Sequence, residues 1–225
     1  AQVDISWIDS EDITEDNVAA QLAGCDGIIV PGGFGDRGIE GMITTAKYCR
    51  EHDIPYLGIC LGMQIAVIEF ARHVCGLADA NSGEFSKTSA HKIIDFLPDQ
   101  SETIDKGATL RLGAYPCHIL PGTRMHECYG CDEIRERHRH RYEFNNDYRE
   151  MLTDAGMTLC GQSPDGHIVE AVELSDHRFF VGVQFHPEFK SRPNRAHPLF
   201  KGFIAAALKY QSENTPTDHP ASIGE

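Results

Sequence analysis

Residues 55 to 68 read Pro55-Tyr56-Leu57-Gly58-Ile59-Cys60-Leu61-Gly62-Met63-Gln64-Ile65-Ala66-Val67-Ile68. A short apolar run passes, through a cysteine framed by two glycines, into a segment that reads as a buried helix. Glycines two positions to either side of Cys60 relieve the crowding of a sharp strand-to-helix turn, so the residue between them can be held strained at the end of a sheet. Its thiol would point at a helix N-terminus. An ordinary thiol, of pKa about 8.5, is only about 3% thiolate at pH 7, and a positive helix end with a nearby imidazolium raises that fraction. Cys60 is thus placed as a nucleophile, against the competing reading of a small buried hydrophobe. Cys25, Cys49, Cys75, Cys117 and Cys160 have no glycine frame and read as core.

Outward from the elbow, the apolar run Gly27-Ile28-Ile29-Val30 ends at Pro31-Gly32-Gly33, as a buried parallel strand does where it opens into a loop. Residues 38 to 51 read as a helix, Val3 to Ile8 alternate as a strand, and Asp9-Ser10-Glu11-Asp12 offers caps for a helix to about Ala23. This β-α-β-α-β-α order predicts a doubly wound, mostly parallel α/β sheet flanked by helices, with its sites at the carboxyl ends of the strands. Beyond, 76 to 105 read as loops with a short strand or two, 110 to 120 as a strand, and 143 to 155 as containing a helix. Strands are expected at 157 to 160, 167 to 173 and 179 to 185, and a helix over 199 to 210. Residues 1 to 210 are read as one domain, and the polar, proline-containing 211 to 225 as a disordered tail.

Composition narrows the function classes. Twenty Lys and Arg against 34 Asp and Glu give a formal net charge of -14, which repels phosphate backbones and anionic lipid, so neither nucleic acid nor membrane is expected as a partner. No apolar run reaches the 18 or so residues of a membrane span, and the eight cysteines lack the spacing of a small disulfide scaffold. A cytoplasmic protein is expected.

The segment Val181-Gly182-Val183-Gln184-Phe185-His186-Pro187-Glu188 closes a strand with histidine and glutamate two residues apart, on one face of an extended chain. Glu188 could hold one ring nitrogen while the other faces a thiol, making His186 a base and then an acid; alone, the pair also fits a capped surface strand end. Pro31-Gly32-Gly33-Phe34-Gly35 would supply one backbone donor to an oxyanion and Leu61 N–H the other. A phosphate cradle is its rival, but no Gly-Lys-Ser/Thr follows and dinucleotide spacing is absent. The run Arg137-His138-Arg139-His140-Arg141 could meet an anion, although Glu136, Glu143 and the acidic balance favour internal pairing. Cys128, Cys131 and His126 amount to half a zinc site without a second pair, and no metal is expected.

Four motifs together resemble the class I glutamine amidotransferase domain of CTP synthases: Pro-Gly-Gly-Phe-Gly-x-Arg-Gly at 31 to 38, Gly-Ile-Cys-Leu-Gly-Met-Gln at 58 to 64, Glu-Arg-His-Arg-His-Arg-Tyr-Glu at 136 to 143 and Phe-His-Pro-Glu at 185 to 188. The resemblance runs over about residues 3 to 210. It implies a flavodoxin-like fold and a Cys60, His186, Glu188 triad that hydrolyses L-glutamine through a thioester. It also implies an oxyanion hole of Gly33 and Leu61, and glutamine ligands at Gly33, Phe34, Leu61, Gln64, Glu84 and Arg141. The domain itself needs no cofactor. An amidoligase domain, not seen in this sequence, would use the ammonia with ATP, UTP and magnesium; GTP would activate near Arg37 or Arg111, and the full-length enzyme would be a homo-oligomer. The family places a further strand and helix before Val3, so either the sequence is a fragment or the sheet lacks its first strand. A glutaminase serving another synthetase, such as that for GMP, and an idle assembly module are the alternatives.

Overall fold

The computed structural model describes residues 2–96 and 110–214. In chain order these form α1 (Val18–Gln21), β1 (Ile28–Val30), α2 (Ile39–Glu51), β2 (Tyr56–Ile59), α3 (Leu61–His73), β3 (Asn81–Ser82), β4 (Lys92–Phe96) and β5 (Arg111–Ile119). There follow α4 (Arg124–Tyr129), β6 (Glu133–His140), β7 (Tyr142–Phe144), α5 (Arg149–Asp154), β8 (Met157–Gln162), β9 (Val169–Leu174), β10 (Phe180–Val183) and α6 (Pro198–Asn214). The main sheet has seven strands ordered β1-β2-β10-β9-β8-β5-β6, and β3-β4-β7 make a small second sheet.

The apolar runs are strands because both of their faces are covered. All four residues of β2 and all four of β10 are buried. On one face Tyr56 stacks on Phe180 at 4.5 Å between ring centroids, within a core that includes Ile43 of α2 and Met63 and Val67 of α3. On the other, Leu57, Ile59, Val181 and Val183 pack with Met125 of α4 and with Leu199 and Phe203 of α6. Each large side chain so enclosed contributes about 1.5–3 kcal/mol. The α/β fold flanked by helices is thus as the sequence reads.

Parallel pairing is concentrated at the elbow, where β1 and β10 both run parallel to β2. From β10 through β9, β8 and β5 to β6 every pair is antiparallel. The segments between β8 and β9 and between β9 and β10 are tight turns, too short for the crossover helix that a parallel return requires.

Three sequence expectations change. Val3 to Ile8 form no strand: Val3, Ile5 and Trp7 are exposed, and alternation makes a strand only where a neighbour supplies the ladder. Asp9 does cap, its side chain accepting from Glu11 N at 3.0 Å, but the cap serves a 3-10 turn, and the α-helix after it is only Val18–Gln21. The closing helix runs on to Asn214, so Gln211 to Asn214, expected in the tail, are helical; 215–225 of that expectation, like 97–105 of the expected loops, lie outside the described residues.

The elbow is closed by backbone against backbone. A methyl on Gly62 would lie 2.1 Å from the Val30 carbonyl oxygen, and one on Gly58 2.5 Å from the Gly62 carbonyl. The Tyr56 hydroxyl donates to that same Gly62 carbonyl at 2.8 Å. Gly62→Ala is therefore expected to lower stability by about 3 kcal/mol, the upper end of ordinary overpacking. Urea unfolding of the purified variant checks this, and an unchanged midpoint would mean that β1 and α3 are not in this contact.

Candidate active site

Cys60 has φ 52° and ψ -98°, one of two non-glycine residues with positive φ among those described. It stands at the N-cap position of α3, and its backbone N–H donates to the Val183 carbonyl at 2.7 Å. The strained elbow expected from the glycine frame is therefore present, and β10 fixes it from the side.

His186 follows β10 directly. Its backbone N–H donates to the Arg137 carbonyl of β6 at 2.8 Å, and its ring stacks on Phe189 at 4.9 Å. Nδ1 lies 2.6 Å from Glu188 Oε1. A carboxylate accepts, so Nδ1 carries a proton and Nε2, which is buried, is the atom left to exchange one with the Cys60 thiol. Burial works against a charged imidazole, but hydrogen bonding and charge from Cys60 and Glu188 outweigh it and raise the His186 pKa to about 9. The two motifs read as separate in sequence converge, and the glycine loop joins them: a methyl on Gly32 would lie 2.9 Å from His186 Cε1 and 3.5 Å from Cys60 Cβ.

Of the other expected residues, Gly33, Glu84 and Gln64 are joined by contacts to the elbow, the glycine loop or the residue beside Arg141, while Phe34 and Arg141 are exposed. Gly33 lies against Leu61, where a methyl would meet Leu61 Cδ2 at 2.9 Å, so the loop runs along the start of α3. Phe34 is 90% exposed. Glu84 Oε1 accepts from Gly35 N at 3.0 Å, which ties the segment after β3 to the glycine loop. Buried Gln64 donates to the Tyr142 carbonyl at 3.2 Å, next to Arg141, whose side chain is exposed. The candidate nucleotide contacts fare differently. Arg37 is exposed and pairs with Glu11 and Asp9. Arg111 is buried on Glu170 at 2.6 Å and is not presented to a ligand at the surface: a lone arginine reads as surface, whereas the alternation of β5 turns position 111 inward.

Two participants went unread in the sequence. Gln184, buried in β10's extension, places Nε2 3.6 Å from Cys60 Sγ and accepts from Gln64 Nε2 at 3.2 Å. Its signal was a polar residue inside a wholly apolar run. β6 was read as a charged run that pairs internally and not as a strand; in it Ile134, Glu136, His138 and His140 face inward while its arginines face out. No group of His, Cys, Asp and Glu among the described residues stands as a metal site; His126 instead meets Asp132 at 2.9 Å.

A model of the glutamine amidotransferase class-I family matches residues 1–206. The chain is 61% identical over 208 residues to a CTP synthase of Carboxydothermus hydrogenoformans and 62% identical over 208 residues to one of Moorella thermoacetica. These alignments cover 92% of this chain but only 39% and 38% of those proteins, so the chain spans well under half of their length. In structure it is similar to a Trypanosoma brucei CTPS glutaminase domain with bound acivicin, at TM-score 0.88 and 42% identity, covering 93% of this chain and 82% of that one.

The His186 environment fixes the sign of a pH effect. A pKa raised from about 6.5 unfolded to about 9 folded adds stability that is full below pH 6.5 and is lost as pH rises through 9. NMR titration should place the His186 midpoint near 9 and, in Glu188→Gln, clearly lower. A midpoint near 6.5 in the parent would refute the coupling to Cys60 and Glu188.

Proposed function

The chain belongs to the class-I glutamine amidotransferase family, and from that premise we propose that it is the glutaminase part of a CTP synthase. One observation carries the reading: the thiol sits on a positive-φ elbow at a helix start, with the Glu188-oriented His186 and the Gly32 loop against it. Cys60 Sγ attacks the side-chain amide carbon of L-glutamine with the thiol proton already held on His186, whose pKa of about 9 keeps its ring protonated at pH 7. The oxyanion lies between the N–H groups of Gly33 and Leu61, donors each worth about 10²- to 10³-fold. His186 returns the proton to the leaving nitrogen, ammonia departs, and a thioester remains. Water, deprotonated by His186, then releases glutamate, so that glutamine and water become glutamate and ammonia.

Recognition follows from charge. The Glu84 carboxylate, already held by Gly35 N–H, meets the substrate's ammonium, and Arg141 forks onto its carboxylate, selecting the free amino acid over a peptide. Phe34 and Gln64 complete the pocket. The ammonia serves an amidoligase domain that aminates UTP to CTP with ATP and magnesium, GTP activating near Arg37, in a cytoplasmic homo-oligomer. The identity to CTP synthases over 92% of the chain supports the partner, and eight free cysteines support the compartment. No helix among the described residues is long and apolar enough to cross a membrane, and the formal charge of -14 argues against nucleic acid.

In the full-length protein, Cys60→Ser should slow glutamate release by about 10³-fold or more, since removing a nucleophile removes the whole covalent route. The same variant should still form CTP from UTP when ammonium chloride replaces glutamine. Glutamate release at the parental rate would overturn the nucleophile; absence of CTP with either nitrogen source in the parent would overturn the partner.

A further inference from the structure

Behind the thiol runs an unbroken line of buried polar groups that the triad does not use. Gln184 Nε2 approaches Cys60 Sγ at 3.6 Å, Gln184 Oε1 accepts from Gln64 Nε2 at 3.2 Å, and the same Gln64 nitrogen reaches the Tyr142 carbonyl at 3.2 Å. That carbonyl is met from its other side by His140 Nδ1 at 3.3 Å. His140 Nε2 lies 2.9 Å from His138 Nδ1, and His138 Nε2 lies 3.4 Å from Glu170 Oε2.

The protons along this line are fixed by what each atom can do. A carbonyl oxygen only accepts, so His140 carries its hydrogen on Nδ1. Burial and the Arg111 charge lower the pKa of His140 to about 3 and of His138 to about 2, so both rings are neutral at pH 7. Neutral His140 then has a bare Nε2, which accepts, and His138 must donate from Nδ1. Its own Nε2 is left bare 3.4 Å from Glu170 Oε2, where neither atom makes a hydrogen bond. Burial raises the Glu170 pKa, and Arg111 occupies the other oxygen. The remaining titratable groups facing the rings are Glu143, whose pKa burial raises to about 8 and which lies 3.6 Å from His140 Nδ1 and 4.0 Å from Arg111 Nη1, and His186 beyond it.

We propose that His138 and His140 are positioning residues: locked in the Nδ1–H tautomer, they clamp the Tyr142 carbonyl and so fix the orientation of the Gln64 and Gln184 amides beside the thiol and of the backbone that carries Arg141. With two acceptors before its nitrogen, the Gln64 amide can turn only its oxygen away from them. An unclamped carbonyl still only accepts, but it is free to move away from Gln64 Nε2 and to carry with it the backbone link at Arg141 between β6 and β7, so the effect falls mainly on substrate binding.

The kinetic arm rests on the glutaminase reading; the spectroscopic arm does not. In the intact protein with 15N-labelled histidine, NMR should show His138 and His140 as neutral Nδ1–H tautomers from pH 6 to 8. A neutral Nε2–H ring at His140, or titration of either ring near 6.5, would overturn the proposal. His140→Asn keeps a donor close to the place of Nδ1 and should hold KM for glutamine within about threefold of the parent. His140→Gln carries its donor farther out and should raise KM about tenfold, the scale of one buried hydrogen bond, with kcat within about threefold. Equal effects of the two substitutions, or a loss confined to kcat, would also overturn it. A parent without glutaminase activity would refute the proposed function while the tautomer result still decides the clamp, as it does where a variant fails to fold.

Discussion

A cysteine backbone held at φ 52° is the constraint on which the rest of the structure depends. For a residue with a side chain this conformation costs about 1–3 kcal/mol and persists only where the surroundings over-determine it. They do so here from three directions. Gly62 lets α3 sit on the Val30 carbonyl, Gly58 lets the turn fold back on itself, and Val183 accepts the Cys60 N–H. Each of these partners belongs to a different strand, so the position of the thiol is a property of the parallel β1-β2-β10 unit, and a change in any one strand is felt at the sulfur.

The same three strands explain why so much was legible in the sequence. Short apolar runs closed by glycine are strong signals, and they correspond to β1 and β2, with β10 announced by its apolar run and the His-x-Glu that follows. What failed to show is what inverts the usual polarity rule. In β6 the inward positions are Ile134, Glu136, His138 and His140, three of the four polar, so the pattern reads as a charge run that pairs internally and gives no strand. Val3, Ile5 and Trp7 err in the opposite sense, with a good alternation and no neighbouring strand to complete it. Gln184 carries no motif of its own, only the mark of a polar residue in an apolar run, and its burial beside Cys60 gives that mark its meaning. Arg111, which the resemblance offered as a nucleotide contact, lies buried on Glu170, because one-residue alternation and not residue type decides which way a strand side chain points.

An acidic protein that encloses Arg111, Glu143, Glu170 and two histidines has accepted a desolvation cost, since replacing such groups with apolar ones is often neutral or stabilising. Their arrangement gives something an apolar layer cannot. Hydrogen bonds have direction, so a chain of them fixes which end of an amide faces a sulfur atom, whereas hydrocarbon contacts would leave both orientations nearly equal in energy. A second group, in which inward-facing Glu136 meets His197, Tyr129 and Lys190, braces β6 against α4 and the segment before α6. The carbonyl of Arg137 that holds His186 thus lies between two polar clusters.

The order of strands in space also sets an order in time. β10 lies between β2 and β9, so the bond from Cys60 N–H to Val183 joins parts of the chain that are far apart in sequence. Closing so long a loop is slow, and contacts of this kind form late. On a ribosome the cysteine emerges well before the strand that bends it and the histidine that partners it. Until residues 180 to 186 are made and seated, the thiol belongs to an unfinished sheet and has no fixed geometry, which keeps the nascent chain chemically quiet while it grows.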